Sequence, residues 1–242
     1  MQQRLPSLLD PPILFAHRGA RAHARENTIE AFTLALRLGA TGLESDVWQT
    51  SDGHIVLDHD GVVRVRGRKR PIATFARAAL PSHIPTLPEL FDECGTDYHL
   101  SLDLKDPACG PRVVDTVREA APDLLPRLWL CSPDLAVTEP LRAYNDDVRV
   151  VDSTRLAKIT EGAERRAAHL ANVGIDCINL RYMDWSGGLV ALFHRFERLC
   201  FAWDLQFDHF LRPLLRMGVD AVYSDWVDRM VDAATDELGA VG

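Results

Sequence analysis

The sequence predicts an α/β protein, a (β/α)8 TIM barrel with a short insertion after the second strand. Three observations predict it. Short runs rich in β-branched and aromatic residues alternate with amphipathic stretches from one end of the chain to the other, the mark of repeated βα units. Eight such runs can be counted. The 242 residues match the roughly 250 that such a barrel uses as one domain. The whole of 1–242 is therefore read as a single domain. An open doubly wound sheet, which has fewer strands, is the competing arrangement.

The expected strands are ILFAH (13–17), GLESDV (42–47), YHLSLDLK (98–105), RLWLCS (127–132), VRVVDS (148–153), DCINLRY (176–182), CFAWDL (200–205) and DAVYSD (220–225). Helical patterns lie between them, among them NTIEAFTLALRLG, PRVVDTVREAA, AERRAAHLANVG, GLVALFHRFERL and DHFLRPLLRMG. Gly39, Gly174 and Gly218 stand where a helix needs a left-handed C-terminal residue. Only 61–85, GVVRVRGRKRPIATFARAALPSHIP, exceeds an ordinary βα loop.

Composition narrows the function. A net charge of −8 argues against nucleic acid as a partner, because binding a phosphate backbone needs a concentrated basic face. No run approaches the roughly 20 apolar residues that span a bilayer, so no stable membrane insertion is expected. The start, MQQRLPSLLDPPILF, is broken by Pro6, Asp10, Pro11 and Pro12, which does not suit a secretory signal and favours the cytoplasm. The five cysteines are scattered without a CxxC pair, so buried reduced thiols are expected rather than a zinc site or a disulfide framework.

The stretch GLESDVWQTSDGHIVLDHD carries the chemistry. Glu44 and Asp46, two apart in a strand, share one face, and near the strand's C-terminal end that face is the barrel mouth. Asp52-Gly53 suits a two-residue hairpin turn, which pairs 51 with 54 and sets Asp46 opposite His59. Asp103 and Lys105 share a face at the end of the third strand. Three carboxylates at one rim repel unless a cation or a shared proton relieves them. An oxygen-ligated divalent ion, Mg²⁺ or Ca²⁺, suits Glu44, Asp46 and Asp103, with unrelated rim acids as the plain alternative. In FAHRGA, His17 and Arg18 leave the first strand at a Gly that permits a tight turn, so His17 is expected to face His59 across the mouth. Two imidazoles fit general acid and base work. Arg18 and Lys105 suit an anionic small-molecule substrate, with a phosphate ester as the natural candidate.

An ordered series of motifs resembles the glycerophosphodiester phosphodiesterase family. It comprises HRG (17–19), ENT (26–28) with AF (31, 32), GA (39, 40), ExD (44, 46), TxDG (50–53), HD (59, 60) and DxK (103–105), fading afterwards to TLPELFD (86–92), the Trp203 strand and SD (224, 225). The resemblance implies a TIM barrel that hydrolyses glycerophosphodiesters to glycerol 3-phosphate and an alcohol, with one divalent cation on Glu44, Asp46 and Asp103. It gives His17 and His59 as acid and base, and Arg18 and Lys105 as phosphate ligands. It further implies attack by the substrate's own glycerol hydroxyl, forming a cyclic phosphate that water opens. A lysophospholipase D-type activity on lysophospholipids and a non-catalytic phospho-ligand-binding barrel are the alternatives.

Three positions depart from the family pattern: Asp103 where Glu is usual, Arg25 where Pro is common, and the reduced insertion. The insertion carries Arg64, Arg66, Arg68, Lys69 and Arg70, either a solvated basic loop or a contact for an anionic headgroup. Trp185, Trp203 and Trp226 fall at the ends of late strands, as walls for an apolar or quaternary-ammonium portion of the substrate or as rim packing. Asn27 is a candidate N-cap of the first helix, with Glu26 beside Arg18, and Ser186-Gly187-Gly188 is either a phosphate-binding turn or a plain N-cap.

Overall fold

The computed structural model describes residues 4–239. In chain order, β1 (Ile13–His17) leads through α1 (Ile29–Arg37) to β2 (Gly42–Gln49). The insertion follows as β3 (Ile55–Leu57), β4 (Val62–Val65) and β5 (Arg68–Pro71). Alternation then resumes with α2 (Leu87–Cys94), β6 (His99–Leu104), α3 (Gly110–Ala120), β7 (Leu128–Ser132), α4 (Leu135–Tyr144) and β8 (Arg149–Ser153). It ends with α5 (Ala163–Val173), β9 (Cys177–Arg181), α6 (Gly187–Arg195), β10 (Leu199–Trp203), α7 (Asp208–Arg216), β11 (Ala221–Ser224) and α8 (Val227–Leu238). Each of the eight expected strands forms.

Those eight lie parallel in the order β1-β11-β10-β9-β8-β7-β6-β2, and β2 pairs back with β1, Phe15 beside Gly42 and His17 beside Glu44. The ring is closed, which excludes the open sheet. Alternation decides which side chains fill it: along β1, Leu14 and Ala16 pack outward with the helices, while Ile13 and Phe15 point in. Inside, Phe15 stacks on Tyr223 with ring centroids 4.6 Å apart, and Trp129 lies 4.9 Å from Phe201. Burying each such ring contributes about 1.5–3 kcal/mol. Gly42 makes room for this layer, since a Cβ there would sit 2.5 Å from the Phe15 ring.

Below that layer, the wholly buried Asp220 ties the N-terminal segment under the barrel. Its Oδ1 accepts from Ser7 Oγ (2.7 Å), Leu8 N (2.6 Å) and Leu9 N (3.0 Å), and its Oδ2 from His194 Nε2 (2.8 Å) and Cys200 N (2.7 Å). The five cysteines are free, as expected, and all but Cys94 are buried. Among the described residues no helix is long and apolar enough to cross a membrane.

Two local expectations are corrected. The hairpin after β2 pairs Val47 with Leu57 and Gln49 with Ile55, and Thr50 N donates to His54 O, so the loop has three residues instead of two. Asp52 fixes that longer turn by accepting from Thr50 Oγ1 (2.6 Å) and Arg77 N (3.0 Å), with Gly53 at φ 84°. Asp46 therefore stands level with Asp58, whose N–H it receives at 3.0 Å, and not with His59. Likewise, Thr28 caps α1, its hydroxyl accepting from Ala31 N at 3.3 Å, which frees Asn27 for the interior. Ser186 is a plain N-cap, accepting from Leu189 N. Gly174 closes α5 in the left-handed conformation, as its position predicts.

Candidate active site

The same alternation that sends Phe15 into the core sends the next inward side chain, His17, to the mouth. Around the ring most upper inward positions are polar or aromatic: Glu44 and Asp46 on β2, Ser101 and Asp103 on β6, Asn179 on β9, Trp203 on β10, with Cys131 on β7 the exception. They line a cavity of about 340 Å³ together with Arg18 and Lys105. Its place at the C-terminal ends of the strands is where barrels of this kind carry their chemistry.

The turn out of β1 sets one wall. Arg18 and Gly19 both have positive φ, 56° and 76°, and a Cβ on Gly19 would lie 2.7 Å from the Ala31 carbonyl carbon. The turn folds back so tightly that Arg18 N donates to Glu44 Oε2 at 2.9 Å, while its guanidinium reaches Asp46 Oδ2 (3.2 Å) and Glu26 Oε2 (3.2 Å). The expected placement of Glu26 beside Arg18 is observed. Asn27, buried, accepts from Ser45 Oγ at 2.8 Å and turns its amide toward Asp46 Oδ2 at 3.4 Å.

His17 is held from both sides. Asp225, just past β11, sits with Oδ1 2.6 Å from His17 Nδ1, and Nε2 faces the cavity 3.8 Å from Glu44 Oε2. A carboxylate can only accept, so the proton resides on Nδ1 and Nε2 presents its lone pair. Burial disfavours the imidazolium, but the Glu44 charge and the Asp225 hydrogen bond outweigh it and raise the His17 pKa. Burial also opposes ionisation of Asp225, and there the His17 hydrogen bond and charge prevail, holding the carboxyl below its ordinary range. Sequence reasoning quoted Asp225 only within the SD pair and gave it no role.

The acids are closely packed with cations. Lys105 Nζ lies 2.6 Å from Asp103 Oδ2 and 3.0 Å from Asp46 Oδ1. Burial works against its charge, and the two carboxylates more than compensate, raising its pKa above the lysine range. Glu44, 7% exposed, is pushed up to about 7 by burial, opposed by His17 and reinforced by Asp46 and Asp103. Three acids are gathered against Arg18 and Lys105, and apart from His17 Nε2 and Cys131 Sγ the ligand-type atoms lining the cavity are hard oxygens. That donor set fits a divalent cation such as Mg²⁺ or Ca²⁺. Among the described residues, the one trio of ligand-type side chains with all donor atoms within 4.8 Å is elsewhere: His194, Cys200 and Asp220 at the barrel bottom. There both Asp220 oxygens already accept hydrogen bonds from protein donors.

His59 is not among the residues lining the cavity, so the expected meeting of His59 with Glu44 and Asp46 is corrected. It follows β3 with its side chain 37% exposed and its Nδ1 2.9 Å from Asp60 Oδ1. Of the tryptophans only Trp203 lines the cavity, and the Arg155 guanidinium already covers its ring at 5.8 Å. Trp185 is buried, its indole N–H donating to Phe201 O at 2.9 Å, and Trp226 is covered by Arg229 at 3.8 Å. For these two, rim packing is the reading that holds.

The sequence pattern of the glycerophosphoryl diester phosphodiesterase family matches residues 17–229, most of the chain and the whole of this site. The chain belongs to that family. The glycerophosphodiester phosphodiesterase of Caldanaerobacter subterraneus subsp. tengcongensis is 30% identical over 128 residues, 44% of this chain and 53% of that protein. The chain thus spans about half the length of that curated relative in their match. The solved glycerophosphodiester phosphodiesterase of Thermotoga maritima superposes with a TM-score of 0.78 at 23% identity, covering 91% of this chain and 97% of that one. An Oleispira antarctica phosphodiesterase in complex with the product sn-glycerol-3-phosphate superposes with a TM-score of 0.78 at 20% identity, covering 92% and 96%. At such identities the two structures establish the barrel fold alone.

Proposed function

We infer that the protein hydrolyses glycerophosphodiesters to sn-glycerol 3-phosphate and an alcohol, with metal dependence and histidine acid–base catalysis. The observation that carries the reading is the Asp225–His17 pair, aimed into a cavity that Glu44, Asp46, Asp103, Arg18 and Lys105 also line. A divalent cation, Mg²⁺ or Ca²⁺, held by Glu44, Asp46 and Asp103 would, when bound, supply positive charge for the phosphate oxygens.

The chain's own groups account for the remaining roles. Arg18 and Lys105 hold the phosphodiester anion and take up the charge that grows on phosphorus oxygens in the transition state. His17 Nε2 removes the proton from the substrate's glycerol hydroxyl as that oxygen attacks phosphorus, and Asp225 stabilises the imidazolium so formed. His59, which lies outside the cavity lining with its Nδ1 on Asp60, protonates the departing alcohol oxygen where that group extends past the rim. The resulting cyclic phosphate is opened by water with the two histidines in exchanged roles, giving glycerol 3-phosphate. Trp203 bounds the cavity on the β10 side. Because Arg155 already covers its ring, an uncharged polyol or anionic headgroup suits that wall better than a quaternary ammonium. Five reduced thiols suit a cytoplasmic setting.

The test is release of glycerol 3-phosphate from a panel of glycerophosphodiesters, with and without a chelator. Turnover that survives complete stripping of divalent ions removes the metal, and full activity in His17→Ala removes the acid–base assignment. Turnover of lysophosphatidylcholine in preference to glycerophosphocholine points to the lysophospholipid reading, and tight binding without turnover to a binding barrel.

A further inference from the structure

The insertion stands apart from the catalytic cavity in chemistry. β4 and β5 form a two-stranded antiparallel hairpin that leaves the mouth rim at Gly61, directly after His59 and Asp60. Val63 is buried and packs with Val56, Ile72, Leu80 and Ile84, which fixes the hairpin to the barrel flank. Arg64 and Lys69, paired directly across the ladder, form its other face, while Arg68 and Arg70 stand opposite Val65 and Val63 with their side chains exposed, and Arg66 is exposed in the turn. Like charges directly opposed on a hairpin destabilise it. Among the described residues none of these five has an acidic partner within 4.0 Å, whereas mouth-rim arginines elsewhere do, Arg155 with Asp184 at 2.9 Å and Arg181 with Asp204 at 2.8 Å. In a chain of net charge −8, five unpaired cations on ten residues call for an external anion.

Apolar exposure at the same end indicates what kind. Val65 at the hairpin tip is 42% exposed, Met183 just past β9 66%, and Phe207 between β10 and α7 51%. β9 lies four places from β2 in the ring of eight, diametrically across the mouth. Val65, carried by the insertion after β2, and Met183, after β9, therefore stand on opposite sides of the mouth. Nucleic acid would match the cations and leave the apolar groups unanswered.

We propose that the mouth end docks on an anionic phospholipid bilayer, with the β4–β5 hairpin meeting the headgroups electrostatically and Val65, Met183 and Phe207 entering the interface. Such docking is peripheral and reversible, and it requires no contact of the hairpin with the substrate. It is tested by flotation of the full chain with vesicles of phosphatidylglycerol and phosphatidylcholine, and with phosphatidylcholine alone, at low and high salt. Each basic residue near such a surface is worth about fivefold in partitioning. Arg64→Gln with Lys69→Gln should then lower partitioning about thirtyfold. Met183→Ser with Phe207→Ser should lower it while leaving its salt dependence in place. Hydrolysis of water-soluble glycerophosphoglycerol should be unchanged by the hairpin pair. The proposal is overturned by equal flotation with both vesicle types, by wild-type flotation of the hairpin variant, by a loss of glycerophosphoglycerol turnover in that variant, or by duplex DNA displacing the protein from vesicles.

Discussion

Asp225→Asn tests the site most directly, because it changes one charge and almost no volume. Asp225 Oδ1 lies 2.6 Å from His17 Nδ1, a hydrogen bond to a carboxylate whose donor also becomes charged when, in the proposed mechanism, His17 takes the substrate proton. Hydrogen bonds to charged groups contribute about 1.5–3 kcal/mol. At about 1.4 kcal/mol per factor of ten, kcat should fall by roughly tenfold to 150-fold. The groups facing His17 are Glu44 and Asp225, which raise its pKa, and Arg18, which lowers it. With one of the raising partners gone, the acidic limb of kcat/KM should move to lower pH even as the plateau falls. The assay is glycerol 3-phosphate release against pH for the wild type, Asp225→Asn, His17→Ala and the double variant. If Asp225 acts through His17, adding Asp225→Asn to His17→Ala should cost little more. A full additional loss in the double variant would refute the arrangement, as would an unmoved pH limb.

Three further outcomes follow from the geometry. Lys105→Met leaves Asp46 and Asp103 facing one another without the ammonium between them, and kcat/KM should drop about a hundredfold, as for loss of one preorganised charge, measured by steady-state hydrolysis. Gly19→Ala forces a Cβ to within 2.7 Å of the Ala31 backbone at a positive φ and should destabilise by at least about 1 kcal/mol in urea unfolding, with a fall in kcat because His17 and Arg18 move. Asp220→Asn replaces an acceptor of five hydrogen bonds with a group that must aim N–H at donors. It should cost about 3–5 kcal/mol, seen as a lower thermal midpoint.

The barrel is legible in the sequence because each of its strands is a short run bounded by turn residues, and Glu44, Asp46, Asp103, His17 and Trp203 reach one cavity through strand alternation and parallel register, with Arg18 and Lys105 just past their strands. Legibility fails where a side chain overrides the backbone pattern. Asp52-Gly53 suggests a two-residue turn, yet the Asp52 carboxylate, bonded to Thr50 and Arg77, stabilises a longer one and shifts His59 by one place. Asn27 resembles an N-cap, but Thr28 takes that position and Asn27 turns to Asp46. Asp225 is separated from His17 by 208 positions. No local pattern links them; only closure of the ring does. Trp185 and Trp226 show the converse, since an aromatic at a strand end can turn into the barrel wall or under an arginine as readily as into the mouth.

The His17–Asp225 contact spans the seam where the first strand meets the last, so the imidazole acquires its orienting carboxylate only when β11 docks on β1. A nascent polypeptide holding every residue through the seventh barrel strand would have Arg18 and Lys105 in place and yet leave His17 without Asp225. Under the proposed mechanism, hydrolysis therefore requires the closed cylinder.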